Sequence, residues 1–292
     1  MKTCHSEFGA IQSLWLKPAA NAFINQETLH AQWNELNYLG EPIYQETLTE
    51  YKEFQSHFTQ GSIELHSFPT DGSVMMDSIY CRDAAIATDF GMIICNMGKG
   101  GRINEPEVQA KAYRTAGTAI LGTITAPGTL EGGDVAWLDE KTLAVGHTYR
   151  TNPEGIKQLE ALLTPKGVEV ITVALPHYKG PSDVFHLMSI LSPVDKDLAV
   201  IYSPLMPINF RNLLIDRGFQ FVEVPDEEFE SMGCNVLALS PRECLMVDGN
   251  PITEARLKNA GCKVITYQGQ EISVKGGGGP TCLTRPMLRE VI

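Results

Sequence analysis

The amino-acid sequence is poor in basic residues and lacks the long apolar runs of membrane proteins. Its 292 residues include 23 Lys and Arg against 35 Asp and Glu, which gives a formal net charge of −12. It has no Lys/Arg stripe that could neutralise phosphates, so we expect no nucleic-acid partner. No run of about 18 apolar residues occurs, so we expect no membrane span. Residues 1–7 contain no apolar stretch of the signal-peptide type, and we expect a cytoplasmic protein.

The sequence also lacks the spacings that are typical of metal sites and disulfide frameworks. It contains no CxxC and no HExxH motif, so it predicts no metal ion. Its seven cysteines are an odd number without regular spacing. This pattern indicates reduced thiols rather than a disulfide scaffold.

Short apolar segments recur along the chain in a fixed order. Four times, two such segments flank a polar turn, which is typical of a β-hairpin. The predicted hairpins are Ala84–Thr88 with Met92–Cys95, Val135–Leu138 with Thr142–Val145, Leu187–Leu191 with Leu198–Tyr202, and Val236–Leu239 with Glu243–Val247. Predicted helices follow them at Glu105–Thr115, Asn152–Leu163, Pro207–Arg217 and Pro251–Ala260. The strands after these helices are Ala119–Ile124, Val168–Val173, Gln220–Val224 and Lys263–Tyr267. This ββαβ unit recurs at roughly 50 residues, a period that favours radial repetition.

A fifth unit can be assembled from the two ends of the chain. The N-terminal part offers a strand at Ile11–Leu16, helices near Gln26–Leu36 and Thr47–Phe58, and a strand at Ser62–Phe68, which can combine with the returning C-terminus. No Gly/Pro/Ser-rich linker divides the sequence, so we predict a single catalytic domain over residues 1–292. The predicted class is α/β, as a five-bladed α/β propeller of ββαβ units around a central cleft. The alternative is a plain α/β sandwich without true repeats.

A run of four glycines, residues 276–279, leads into Thr281 and Cys282. Glycine opens backbone conformations that are closed to other residues and removes side-chain bulk. A thiol after such a run can sit at the mouth of a cleft, against bare backbone, which suits a nucleophile. The alternative interpretation is a flexible loop followed by an unrelated cysteine.

Three polar motifs lie just before predicted hairpins, where a radial fold would bring them to one cleft. They are Asp77 to Asp83, Thr129-Leu130-Glu131-Gly132-Gly133-Asp134, and Asp183-Val184-Phe185-His186-Leu187, and Cys282 takes the matching position as a fourth motif. Each motif alone also fits a structural histidine, a turn or a helix cap. Their joint placement favours a functional site.

This set of side chains points to the chemistry of a cationic substrate. Cys282 is reactive as a thiolate, and His186 can serve as general acid and base near neutral pH. Asp83 and Glu131 are acceptors that suit the rigid, planar fork of a guanidinium. Arg102 and Arg150 are candidates to hold a substrate carboxylate, although a single arginine is more commonly exposed on the surface. His147 and His177 are rival bases, and Cys81 and Cys234 are interpreted as structural.

These motifs resemble the guanidino-group-modifying enzyme superfamily, the pentein fold, which includes dimethylarginine dimethylaminohydrolases, arginine deiminases and amidinotransferases. The resemblance covers most of the chain. It rests on residues 130–135, which are similar to the acidic motif of the dimethylarginine hydrolases, on residues 145–155, which resemble their arginine-bearing segment, and on residues 185–189, which resemble their histidine motif. Asp77 and Asp83 have the family's spacing of two acids. Met188 departs from the deiminases, which have an acid at this position.

The resemblance implies a role for each candidate residue and requires no cofactor. Cys282 is then the nucleophile, His186 the acid/base, and Glu131 either orients His186 or binds guanidinium. The expected substrate-binding residues are Asp83, Asp77, Arg102, Arg150 and Asp134. The implied reaction is hydrolysis of a substituted, dimethylarginine-like guanidinium through a covalent thiouronium, giving citrulline and an amine.

Several alternatives remain open from the sequence alone. An amidinotransferase or an arginine deiminase would act on another guanidino compound, and a protein that had lost turnover would only bind one. The expected partner is therefore a small guanidino molecule, and a homodimer is considered by analogy alone.

Overall fold

The computed structural model describes residues 1–59 and 63–291, and its strands form five small sheets within these ranges. The first part of the chain contains β1 (Lys2–Thr3), β2 (Ala10–Leu16), α1 (Ala19–Ala22), α2 (Gln26–Gln32), α3 (Tyr44–Thr59) and β3 (Glu64–Ser67). The predicted strand at Ser62–Phe68 corresponds to β3. The first residue of the predicted range, Ser62, lies outside the described residues. None of the described helices is long and apolar enough to cross a membrane.

Four units with the order strand, strand, helix, strand follow. Unit 1 consists of β4 (Ala85–Ile86), β5 (Met92–Ile94), α4 (Glu105–Thr115) and β6 (Ile120–Thr123). Unit 2 consists of β7 (Val135–Asp139), β8 (Thr142–His147), α5 (Pro153–Leu163) and β9 (Glu169–Ala174). Unit 3 consists of β10 (Leu191–Asp195), β11 (Leu198–Ile201), α6 (Ile208–Asp216) and β12 (Gln220–Glu223), with a short α7 (Asp226–Phe229) after it. Unit 4 consists of β13 (Leu237–Ser240), β14 (Glu243–Val247), α8 (Pro251–Asn259) and β15 (Lys263–Tyr267).

The chain ends with β16 (Thr284–Glu290), which completes a fifth unit with the N-terminal strands. In units 1 to 4 the first two strands pair antiparallel, and the third pairs parallel to the second. In unit 5, β16 pairs antiparallel with β2, β3 pairs parallel to β2, and β1 lies on the other side of β16. The fifth unit thus joins the two ends of the chain in one sheet, and the prediction of five ββαβ units is confirmed.

Local sequence signals account for most of the element boundaries. Proline occupies the first turn of α4, α5 and α8, where its missing N–H would have no helical partner. Asn152 caps α5, since its side-chain oxygen accepts a hydrogen bond from the Gly155 N–H at 2.8 Å. Every residue of β11 is buried, which explains its continuous apolar sequence.

The first hairpin strand of unit 3 was predicted wrongly. The predicted strand at Leu187–Leu191 is instead a short 3₁₀ turn at Leu187–Ser189, and β10 extends to Asp195. Pro193, which predicts a turn, lies inside β10, next to an irregularity in the pairing with β11. A strand tolerates proline there because β10 is at the edge of its sheet and needs fewer backbone donors.

Candidate active site

The loops that precede the first strand of each unit converge on one cavity of about 300 Å³. Asp83 precedes β4, Gly133 precedes β7, His186 precedes β10, Asn235 precedes β13 and Cys282 precedes β16, and all five residues line the cavity. Its volume suits a small molecule. The sequence therefore predicted correctly that its polar motifs would meet in one cleft, and it missed Asn235.

His186, in the cavity wall, forms a buried ion pair with Glu131, which lies behind it. His186 Nε2 lies 2.8 Å from Glu131 Oε2, and the other carboxylate oxygen accepts hydrogen bonds from the Gly98 and Lys99 N–H groups, both at 3.0 Å. Glu131 has no exposed surface. These contacts favour the first of its two predicted roles, the orientation of His186.

The carboxylates around His186 set its protonation state. Burial alone lowers the pKa of His186, but Asp134, the hydrogen bond to Glu131 and Asp83 outweigh burial and raise this pKa to about 9. For Glu131, burial raises the pKa, but His186 and Arg150 outweigh burial and lower it to about 2. The pair is therefore an imidazolium and a carboxylate at neutral pH, so His186 is ready to donate a proton.

Asp134 holds the site together from behind and does not reach the cavity. Its Oδ2 accepts hydrogen bonds from the hydroxyls of Thr148 at 2.7 Å and Thr151 at 2.6 Å, and its Oδ1 accepts one from the Leu187 N–H at 3.0 Å. Asp134 has no exposed surface, and burial raises its pKa to about 6. The prediction that Asp134 binds the substrate is therefore corrected: it ties the turn at 148–151 to the residue after His186.

Asp83 lines the cavity and is held by Arg102. The Asp83 Oδ2 atom accepts a hydrogen bond from Arg102 Nη1 at 2.5 Å, whereas Oδ1 has no hydrogen-bond partner among the described residues. Arg102 also donates two hydrogen bonds to Glu105, both at 2.8 Å, and one to the Tyr80 carbonyl at 2.8 Å. Arg102 lines the cavity, but its guanidinium is buried and already donates to these acceptors. The prediction that it holds a substrate carboxylate stays a prediction.

Arg150 and Asp77 are the remaining predicted residues of the cavity wall. Arg150 donates one hydrogen bond, from Nη2 to the Asp183 carbonyl at 3.2 Å, and its Nε and Nη1 have no hydrogen-bond acceptor in the described part of the chain. Asp77 Oδ2 accepts a hydrogen bond from Lys99 Nζ at 2.6 Å. Arg150 Nη1 also lies 3.7 Å from Glu131 Oε1. The prediction that Arg150 holds a substrate carboxylate stays a prediction.

The glycine run lets the chain pass close to two side chains before Cys282. A Cβ at Gly276 would lie 1.9 Å from Tyr80 Oη, and a Cβ at Gly278 would lie 2.4 Å from the Tyr80 ring. A Cβ at Gly279 would lie 2.6 Å from Asn235. The glycines therefore accommodate neighbouring side chains, and the loop is packed rather than free.

The surroundings of Cys282 shift the pKa of its thiol in both directions. Burial raises this pKa, the negative charge of Asp83 raises it further, and a hydrogen bond from Asn235 lowers it.

Asp83, Glu131 and His186 also form a group that could hold a cation. Their ligand atoms lie within 4.8 Å of one another. In the structure, Arg102 pairs with the carboxylate of Asp83, and the imidazolium of His186 pairs with the carboxylate of Glu131, so both negative charges are already balanced. The rival bases are elsewhere: His147 is exposed, and His177 is exposed and contacts Tyr149 Oη at 2.8 Å.

Comparison with known proteins identifies the family of this chain. The family model described as N,N dimethylarginine dimethylhydrolase, eukaryotic, matches residues 19–289. The chain belongs to this family. Among the relatives of this chain, the uncharacterized protein YkgA of Bacillus subtilis is 26% identical over 294 residues, which is 98% of this chain and 95% of that protein. The N(G),N(G)-dimethylarginine dimethylaminohydrolase of Pseudomonas aeruginosa is 25% identical over 248 residues, which is 85% of this chain and 91% of that protein. An arginine deiminase of Mycobacterium avium is 26% identical over 246 residues, 73% of this chain and 60% of that protein.

Solved structures of similar proteins show that this chain has the pentein fold. The P. aeruginosa dimethylarginine dimethylaminohydrolase, as a mutant complexed with citrulline, superimposes with a TM-score of 0.75 at 22% identity and covers 94% of this chain and 98% of that chain. The amidinotransferase SxtG of Microseira wollei gives a TM-score of 0.76 at 14% identity, over 99% of this chain and 97% of that chain. The predicted superfamily is confirmed, and so is the predicted α/β pentein fold of small repeated units.

Proposed function

We propose that this chain hydrolyses a guanidinium C–N bond of a substituted, dimethylarginine-like arginine, with Cys282 as the nucleophile and without a cofactor. One observation carries the proposal: the Cys282 thiol, the imidazolium of the His186–Glu131 pair and Asp83, whose Oδ1 has no hydrogen-bond partner among the described residues, line one cavity. Family membership, and the names of the relatives from P. aeruginosa and M. avium, support the same chemistry.

The substrate is bound by charge at both ends. Asp83 Oδ1 accepts a hydrogen bond from the guanidinium, while Arg102 keeps the same carboxylate oriented through Oδ2. Arg150 binds the α-carboxylate, since its Nε and Nη1 have no hydrogen-bond acceptor within residues 1–59 and 63–291. Asp77, next to Lys99, adds a second acid to the wall.

The first half of the reaction forms a covalent intermediate. A cationic guanidinium beside Cys282 favours the thiolate, and the thiol proton is released to water. The sulfur attacks the guanidinium carbon and forms a C–S bond. As the C–N bond to the substituted nitrogen breaks, His186 gives its proton to the departing amine, which leaves a thiouronium and a neutral imidazole.

The second half of the reaction restores the enzyme. The neutral imidazole of His186 accepts a proton from water, whose oxygen attacks the thiouronium carbon. The C–S bond of the resulting tetrahedral adduct then breaks while its hydroxyl proton passes to solvent, so the thiolate returns and the neutral ureido product leaves. For a methylated arginine, the products are citrulline and a methylamine.

The experiment is a panel of guanidino compounds, including N-methylated arginines, screened for ureido product with the purified chain. We expect citrulline release by the wild type and none by Cys282→Ser. Cys4→Ser is the matched control, because Cys4 is partly exposed and lies near Asp89 rather than at the cavity, and it should retain activity. Turnover that survives in Cys282→Ser would contradict the proposal.

The same panel separates the alternative functions. A product that depends on an added amine acceptor, with little citrulline, would indicate amidino transfer. Citrulline from unsubstituted arginine but not from methylated arginines would indicate a deiminase. Binding of guanidino compounds without any turnover would indicate a binding protein.

A further inference from the structure

Asn235 occupies the same place in unit 4 as Asp83, Gly133 and Cys282 occupy in units 1, 2 and 5. It lies two residues before β13, just as Asp83 lies two residues before β4 and Cys282 two residues before β16. It lines the cavity and is 7% exposed. Position alone makes it a candidate for the site.

The amide of Asn235 is oriented by Thr281. Its Oδ1 atom accepts hydrogen bonds from the Thr281 N–H at 3.1 Å and from the Thr281 hydroxyl at 2.6 Å. With the oxygen held on this side, the NH₂ group of Asn235 lies on the other side and approaches Cys282 Sγ at 3.3 Å.

The sulfur of Cys282 therefore has one well-placed hydrogen-bond donor in the described part of the chain. Thr281 Oγ1 is 3.9 Å from Cys282 Sγ, but its single proton already points to Asn235 at the shorter distance of 2.6 Å. An amide NH₂ can only donate, so the sulfur must accept in this contact. Such a contact is stronger when the sulfur is an anion.

We infer that Asn235 is a further catalytic residue of this chain, which donates a hydrogen bond to the sulfur of Cys282 and stabilises its thiolate. The inference rests on the proposed function for the role of Cys282 in catalysis. The hydrogen bond matters because burial and the negative charge of Asp83 both raise the pKa of Cys282 and so disfavour its thiolate. A hydrogen-bond donor at the sulfur lowers this pKa and so favours the thiolate. Thr281 is a positioning residue, since it acts on the sulfur through Asn235.

The test is the pH dependence of Cys282 alkylation by iodoacetamide, followed by mass spectrometry of the Cys282 peptide. In Asn235→Asp the side chain keeps its shape, but an acceptor replaces the donor. We expect the midpoint of the alkylation profile to rise by about one pH unit or more, and alkylation at neutral pH to slow by roughly tenfold or more. Asn235→Ala should shift the midpoint in the same direction.

Asn21→Asp is the matched control. Asn21 Nδ2 donates to the Phe68 carbonyl at 3.0 Å, so this variant makes the same change of charge and the same loss of a donor away from the cavity. Its midpoint should equal that of the wild type. An unchanged midpoint in a folded Asn235→Asp variant would overturn the inference.

A second pair of variants decides the question if the Asn235 variants do not fold. Thr281→Val removes the hydroxyl that orients the amide, and we expect a smaller upward shift of the midpoint, which Thr281→Ser should restore. A wild-type midpoint in Thr281→Val would then overturn the inference. Alkylation needs no substrate, so this outcome is independent of whether the wild type releases a ureido product.

Discussion

Replacing Gly133 with alanine should slow catalysis by displacing two side chains of the candidate active site. A Cβ at this position would lie 2.4 Å from His186 Nδ1 and 2.8 Å from Asp83 Oδ1. A tolerable separation of 3.0 to 3.4 Å requires the imidazole to move by about 0.6 to 1.0 Å. His186 cannot make this movement alone, because Glu131 holds its ring on the far side at 2.8 Å.

The expected magnitude follows from this displacement. A misplacement of about 1 Å in an active site can lower the rate by roughly 100-fold, so kcat/KM for citrulline release should fall by about that factor. Overpacking should lower the free energy of unfolding by about 1 to 3 kcal/mol, measured by urea denaturation. Gly72→Ala is the matched control, because nothing lies within 4 Å of its added Cβ. Wild-type kcat/KM in a folded Gly133→Ala protein would refute the reasoning.

Two further predictions concern the charges at the cavity. The pKa of His186 is about 9 in the folded chain against 6.5 for a free histidine, so the folded state binds this proton more tightly. The resulting stability is fully present below pH about 6.5 and is lost as the pH rises to about 9. Urea denaturation of the wild type should show that the free energy of unfolding falls by on the order of 3 kcal/mol over this range. In Glu131→Gln, the free energy of unfolding should depend less on pH. A profile that Glu131→Gln leaves unchanged would contradict this. Arg150→Met should raise KM by about 10- to 100-fold for a substrate with an α-carboxylate, because charge-assisted hydrogen bonds are lost. The same substitution should hardly affect an analogue without the carboxylate, and an equal effect on both would argue against the predicted contact.

Local signals in the sequence were sufficient for most of the fold. The helix at Glu105–Thr115 was predicted with the bounds that the structure has, and α5 and α8 differ from their predictions by one residue at one end. Strand alternation, polar turns and proline in a first helical turn depend on near neighbours along the chain, so they can be read without the tertiary structure. The strand β10 was missed because tolerance of Pro193 depends on its place at the edge of a sheet.

The members of the candidate site were also largely predictable, but their contacts were not. His186 and Glu131 are 55 residues apart, and Asn235 and Cys282 are 47 residues apart, so no local pattern reports their distances. Asn235 looks like an ordinary turn residue in the sequence. The one signal that could have found it is the repeat itself, which places a cavity residue two positions before the first strand of units 1, 4 and 5.

The sequence by itself determined the five ββαβ units and which loops carry the reactive side chains, because both depend on the order of residues along the chain. Only the tertiary structure decided which polar atoms face the cavity. Burial left Asp134 and Glu131 without exposed surface, and Glu105 and Asp83 engaged Arg102. Thr281 oriented the amide of Asn235 toward the sulfur of Cys282. These outcomes depend on how separate units pack, since packing alone decides which hydrogen-bonding groups are satisfied inside the protein and which remain for a ligand.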